Sequence, residues 1–323
     1  MMSKRSPKVS IVIPLYKDNL KFRKCISECK KLDYRNYEII VVVDDNEVNF
    51  TSEGVKVIKT RMDNSGPAEK RDLAISESRA EYIAFIDDDS YPAPDWLKLA
   101  VKTVREKGGS VICGPGLTPP DSSLSEIISG SVLTSVFGSG IYTYRFRKDP
   151  ERLVDDYPAY NMMVERKVLE KVGRFGTKYY GGEDTALCLK LIKAGYKILY
   201  IPDMVVYHYR RRFPVQFMKQ IGNVGKHRGY FVKKYPETSL RLVYFLPLIF
   251  IWGSIVVVTF YFLSEYLTIS NWLISSYFIL IFLDSVRRNS VFISIFLPFA
   301  IYLTHISYGI SFIIGLFTKD LRR

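Results

Sequence analysis

Three uncharged stretches occupy the last quarter of this chain and leave it few ways to fold. Leu242–Leu263 is 22 residues without a charge, Tyr266–Leu283 adds 18, and Val291–Thr318 adds 28 with His305 as its one ionisable group of note. A bilayer core is spanned by about 20 apolar residues. Three such runs in succession argue for membrane helices rather than buried core helices. The start, Met1-Met2-Ser3-Lys4-Arg5, has no apolar run behind it, so no signal peptide is expected.

Charge supports the same division. The 323 residues carry a formal net charge of +13, and much of it is local. Between Tyr207 and Arg241 nine basic residues, from Arg210 to Arg241, face the single acid Glu237. A basic segment ahead of a first span reads as cytoplasmic and as a contact for anionic membrane lipid. Its position beside a span disfavours nucleic acid as the partner. Arg287-Arg288 then falls inside after two spans. A full third span would put Lys319, Arg322 and Arg323 outside, against the charge rule, unless His305–Phe317 turns back or lies in the interface. Both readings stay open. The expected division is 1–206 as a cytoplasmic catalytic domain, 207–241 as a basic interfacial segment, and 242–323 as a membrane domain of two to three spans.

Chemistry is concentrated elsewhere. The apolar strand Tyr82-Ile83-Ala84-Phe85-Ile86 runs straight into Asp87-Asp88-Asp89. Carboxylates so close repel unless a cation or a proton intervenes. Their oxygens suit Mg²⁺ or Mn²⁺, ions that commonly sit between carboxylates and substrate phosphates. A solvated acidic loop is the plain alternative. Cys25 and Cys29 share a helical face with Phe22 and Leu32 and read as core. No second Cys or His pair at ligand spacing accompanies them, so neither zinc nor disulfides are expected.

The first 115 residues alternate strand and helix. Strands are expected at Val9–Pro14, Glu38–Val43, Val55–Lys59 and Val111–Gly114. Helices are expected near 18–32, from Pro67 to Arg79, and from Asp95 to Lys107. This is the pattern of an α/β fold with a mostly parallel sheet and helices on both faces, which gathers ligands at the carboxyl ends of its strands. Asp44-Asp45 and Asp87–Asp89 are both placed there. The stretch from Gly116 to Gly176 is less regular, with an amphipathic piece around Ile127, Ile128, Val132, Leu133 and Val136 and a helix from Val164 to Val172. That piece fits a lid, a surface helix or a plain subdomain equally. Gly181-Gly182-Glu183-Asp184 opens a helix ended by Gly195, and strands follow at Tyr196–Ile201 and Val205–Tyr209.

An ordered set of motifs carries a family resemblance. Val9-Ser-Ile-Val-Ile-Pro14, Val43-Asp44-Asp45, Gly66-Pro-Ala-Glu-Lys-Arg71, Asp87–Asp89 with Pro94-Asp95-Trp96-Leu97, Gly114-Pro115, Gly182-Glu183-Asp184 and Pro202-Asp-Met-Val-Val-Tyr-His208 follow one another in that order. From Val9 to about Tyr235 the chain resembles membrane-bound family 2 glycosyltransferases with the GT-A fold, of the type that assembles polysaccharide or lipid-linked glycans.

The resemblance implies residue roles. Asp87 and Asp89 would hold a divalent metal, Mg²⁺ or Mn²⁺, with His208 completing its shell. Asp45 would read the donor's nucleobase, and Pro14, Tyr16, Arg71, Asp88 and Arg228 would line the nucleotide-sugar site. Asp184 would be the general base with Glu183 beside it. Arg210–Arg212 or Arg228 would add positive potential around phosphates. A single base and no covalent intermediate imply inversion. The partners implied are a nucleotide-sugar donor and a lipid-linked glycan or polyprenyl acceptor.

Two departures stand out. Asn46-Glu47 replaces the common Gly-Ser, and the Gln-x-x-Arg-Trp motif of processive synthases is absent, which points to one sugar per encounter. Transfer onto bare polyprenyl phosphate and a non-catalytic sugar-nucleotide scaffold are the competing readings.

Overall fold

A computed structural model describes residues 6–44, 50–61, 64–177, 179, 181–262 and 267–321. The chain divides into two compact units. One runs to Pro119 and resumes over Arg147–Tyr209; the other comprises Pro120–Phe146 and Arg210–Leu321.

The first unit is built on strand–helix alternation. In order come β1 (Val9–Pro14), α1 (Leu20–Cys29), β2 (Tyr37–Val43), β3 (Val55–Lys59), α2 (Pro67–Glu77), β4 (Tyr82–Phe85), β5 (Ser90–Pro92), α3 (Trp96–Lys107), β6 (Val111–Cys113) and β7 (Gly116–Leu117). The chain leaves for the second unit through α4 (Leu124–Thr134) and the short α5 (Val136–Ser139). It returns with β8 (Arg152–Val154), β9 (Met162–Glu165), α6 (Arg166–Lys171), α7 (Glu183–Lys193), β10 (Ile198–Tyr200) and β11 (Val206–His208).

Eight strands form the main sheet in the order β3-β2-β1-β4-β9-β6-β10-β8. β1 to β4 pair in parallel, as do β6 and β10, while β9 and β8 run antiparallel. β1 is buried at every position, which is why it reads as one unbroken apolar run. Cys25, Cys29, Phe22 and Leu32 join its core, and all four cysteines are free thiols. One element differs from expectation: Met162–Glu165 is a central strand, and only Arg166–Lys171 of the expected 164–172 helix is helical. A buried apolar run of four residues has no period by which to tell strand from helix.

A second, three-stranded sheet, β5-β11-β7, holds the site together. Its antiparallel register sets His208 opposite Ser90, next to Asp89.

The second unit is helical. The basic segment forms α8 (Val215–Lys234), followed by the short α9 (Pro236–Ser239). Then come α10 (Leu242–Phe262), α11 (Leu267–Val286) and α12 (Val291–Phe317), each long and apolar enough to cross a membrane. α8 lies along the C-terminal half of α12. Ser307 Oγ donates to Met218 O over 2.7 Å, and Lys233 Nζ donates to Thr318 O over 3.0 Å. Glycine permits the approach: a Cβ on Gly225 would stand 2.4 Å from Tyr308 O, and one on Gly229 2.1 Å from Phe312 O. α4 packs in this unit too, with Val132 beside Phe217, Ile281 and Leu297.

Candidate active site

β4 carries the chain into Asp87, and the turn into β5 folds Asp89 back against β11. His208 Nε2 lies 3.0 Å from Asp89 Oδ1, and Tyr209 donates its N–H to Asp89 O over 3.1 Å. The Tyr160 ring backs the imidazole at 4.7 Å between centroids. Asp87, Asp89 and His208 each offer one ligand atom, and these atoms all lie within 4.8 Å of one another. Two carboxylates and an imidazole at that separation fit a single divalent cation of the Mg²⁺ or Mn²⁺ kind. The buried His208 Nδ1 has no hydrogen-bond partner, which further suits a site built to take a ligand.

Asp88 points the other way. It accepts the backbone N–H of Tyr16 over 2.8 Å, so the loop after β1 is tied to the acidic turn. Burial, then the neighbouring Asp89, push its carboxyl up to about 7, against the pull of the Tyr16 and Lys17 amides. Pro14 is buried at the end of β1, and the Tyr16 side chain stands 68% exposed at the rim.

Arg71, on α2, organises the other half of the site. Only 3% exposed, its Nη2 donates to Asp87 Oδ1 over 2.7 Å, and Nη1 reaches Glu183 Oε1 at 3.2 Å and Asp184 Oδ1 at 3.4 Å. The ring of Phe175 lies under its guanidinium at 5.4 Å. Burial opposes its charge, but the three carboxylates outweigh that and hold it firmly protonated. Glu183 and Asp184 open α7. Gly181 and Gly182 precede them at φ +94° and +79°, backbone that a side chain resists, and Gly181 N–H donates to Glu183 Oε2. The Asp184 carboxyl is pushed up to about 8 by burial first and Glu183 second, with Arg71 and the Ala159 amide pulling it down.

The glycosyl transferase family 2 profile matches residues 10–173. The chain belongs to glycosyl transferase family 2. Glycosyltransferase AglE of Haloferax volcanii is 26% identical over 265 residues, 76% of this chain and 81% of that one. The dolichyl N-acetyl-alpha-D-glucosaminyl phosphate 3-beta-D-2,3-diacetamido-2,3-dideoxy-beta-D-glucuronosyltransferase of Methanococcus voltae is 25% identical over 325 residues, covering 93% of this chain and 95% of its own. Campylobacter jejuni GalNAc(5)-diNAcBac-PP-undecaprenol beta-1,3-glucosyltransferase is 26% identical, covering 55% of this chain and 58% of that protein. Among solved structures, the mannosyltransferase PcManGT from Pyrobaculum calidifontis, in complex with GDP-Man and Mn²⁺, superposes with a TM-score of 0.60. That match is 15% identical and covers 98% of this chain and 89% of the other. This shared fold is the GT-A fold.

Within this family 2 glycosyltransferase the first unit brings Asp87, Asp89, His208, Arg71, Glu183 and Asp184 into contact, directly or through one side chain. Asp45 lies outside the described residues. Arg228 belongs to the second unit, where its guanidinium lies 4.5 Å over the ring of Tyr244. Two residues escaped sequence reasoning. Lys70 is buried and donates to Leu15 O over 2.6 Å and to Asp44 Oδ2 over 2.9 Å. Asn161, fully buried, accepts from Trp96 Nε1 and donates to Pro115 O and Met204 O. Its tie to Trp96 gives the Pro94–Leu97 motif a framework role. Neither charge run nor period marks such residues, since each acts through buried partners distant in sequence.

Proposed function

We propose that this glycosyltransferase moves a sugar, with inversion, from a nucleotide-diphosphate donor to a membrane-held, lipid-linked glycan, with a divalent cation at Asp87, Asp89 and His208. The observation that carries the reading is the convergence of those three ligand atoms within 4.8 Å beside the Arg71–Asp184 pair. When bound, such a cation supplies neutralisation of the departing nucleoside diphosphate.

The chain's own groups do the rest. Asp184 accepts the proton of the acceptor hydroxyl as that oxygen forms its bond to the anomeric carbon. The anomeric C–O bond to the diphosphate breaks on the opposite face, and its electron pair leaves with the diphosphate. A carboxyl held near 8 is a strong base among carboxylates once ionised, and Arg71 favours that ionised form and aims it. Glu183 shares the guanidinium and so fixes its plane. Asp88, tied to the Tyr16 amide, shapes the donor side.

The acceptor class follows from the relatives whose names describe sugars on dolichyl phosphate or undecaprenyl diphosphate. We place the catalytic unit in the cytoplasm on the charge argument, with 1–206 catalytic, 207–241 interfacial and 242–323 in the membrane. The test is a panel of nucleotide-sugars offered to the purified chain with Mn²⁺ and lipid-linked glycans. Label should enter the lipid fraction only when a sugar-bearing lipid is present. Equal labelling of bare polyprenyl phosphate would replace the proposed acceptor, and no transfer with any donor would reject the reading.

A further inference from the structure

The second unit holds a buried basic and aromatic cluster that the transfer chemistry does not use. On α8, Arg228 is 8% exposed, and its guanidinium lies 4.5 Å over Tyr244. Tyr244 stacks on Tyr142 with centroids 5.6 Å apart and planes 11° apart. The Arg145 guanidinium lies 4.4 Å over that second ring. Two cations thus converge on one stacked pair.

Hydroxyls point to what is bound. The Tyr142 and Tyr308 hydroxyl oxygens are buried without a hydrogen-bond partner, and Tyr308 is within electrostatic range of both Arg228 and Tyr142. A buried hydroxyl without a partner is costly, so such groups mark a place where a ligand supplies the acceptor. Two guanidinium forks with two phenol donors match a phosphoryl group, which offers several charged oxygens at once.

Depth and rigidity agree. Tyr244 is the third residue of α10, so its part of the cluster lies at one end of a candidate span, where a lipid headgroup would meet it. Close glycine packing of α8 on α12 fixes Arg228 relative to Tyr308. A bulk phospholipid is served adequately by the exposed Lys219, Lys233 and Lys234 on α8. A buried arginine walled by aromatic rings is a built site.

Resting on the transferase reading above, we infer that Arg145, Arg228, Tyr142 and Tyr308 bind the phosphoryl group of the lipid-linked acceptor. The full chain, in phosphatidylcholine nanodiscs without donor, is titrated with a labelled polyprenyl phosphate and with the matching polyprenol. Y142F and Y308F should each weaken polyprenyl phosphate about tenfold, the effect of one lost hydrogen bond to a charged group. R228K should weaken it further, and polyprenol should bind all forms alike. Unchanged phosphate binding in the Y142F/Y308F double variant would overturn the assignment. So would equal loss of polyprenol binding, which would mark a packing role, or complete competition by a few mole per cent of phosphatidylglycerol, which would mark a headgroup site. Because no donor is present, a failed donor panel counts against the transferase reading and leaves this outcome standing.

Discussion

Arg71 joins the two acidic halves of the site: one of its nitrogens lies 2.7 Å from Asp87, and the other lies 3.4 Å from Asp184. A planar fork can hold two carboxylates in fixed relation, and a lysine ammonium cannot. Arg71→Lys is therefore expected to lower kcat about 100-fold, the scale of losing one preorganised charge-bearing contact, with a smaller effect on donor KM. Steady-state kinetics with varied donor and acceptor check this.

Removing the base separates binding from chemistry. Asp184→Asn should cut transfer by roughly 1,000-fold, within the range for a positioned general base, while donor affinity by calorimetry stays close to wild type. The pH profile gives the sign. The Asp184 carboxyl is the competent base only when ionised, and its position near 8 makes transfer rise with pH through that region. A cation at Asp87 removes one of the charges that push it up and moves the limb to lower pH. Asp184→Asn should abolish that limb.

His208 is the one nitrogen in the candidate metal set. His208→Ala should raise the Mn²⁺ concentration for half-maximal activity by about tenfold or more, the cost typical of losing support around a metal. A metal titration of rate reads it directly, and saturating Mn²⁺ should restore much of the activity.

Asp44 and Lys70 form a buried ion pair, with each side chain almost fully enclosed. Burial alone would raise the Asp44 carboxyl, but Lys70, the Ser65 amide and the Thr60 hydroxyl outweigh it and hold it below the usual carboxylate range. Its contribution to stability is thus full above the unfolded carboxylate pKa and is lost as pH falls through the lowered one. Asp44→Asn should destabilise the fold by about 3 kcal/mol at pH 7, because it strands the Lys70 charge. It should also flatten the loss of stability below about pH 4. Denaturant unfolding at several pH values tests both.

Much of this was legible from residue order, and the exceptions have physical reasons. β1 and β3 match their expected bounds: β1 is a buried apolar run closed by Pro14, and β3 is a short β-branched stretch, Val55-Lys-Val-Ile-Lys59, opened after Gly54. The acidic turn announced itself because three adjacent carboxylates repel one another unless a cation or a proton intervenes. The nearness of His208 to Asp89 was expected only through the family resemblance, since it comes from the register of two three-residue strands, too short for any period. Asp44–Lys70 was hidden because a charge on a helix reads as solvated until its partner is seen. Arg71 was read as a donor-side cation; that it also grips Asp184 depends on the turn through Gly181 and Gly182, which no spacing reveals.

The most direct test is calorimetric titration of the purified chain with its donor's nucleoside diphosphate, with Mn²⁺ and then with excess chelator. The account predicts binding with Mn²⁺, at least a tenfold loss with chelator, and the same loss in Asp89→Asn with Mn²⁺ present. Equal affinity under all three conditions would contradict it.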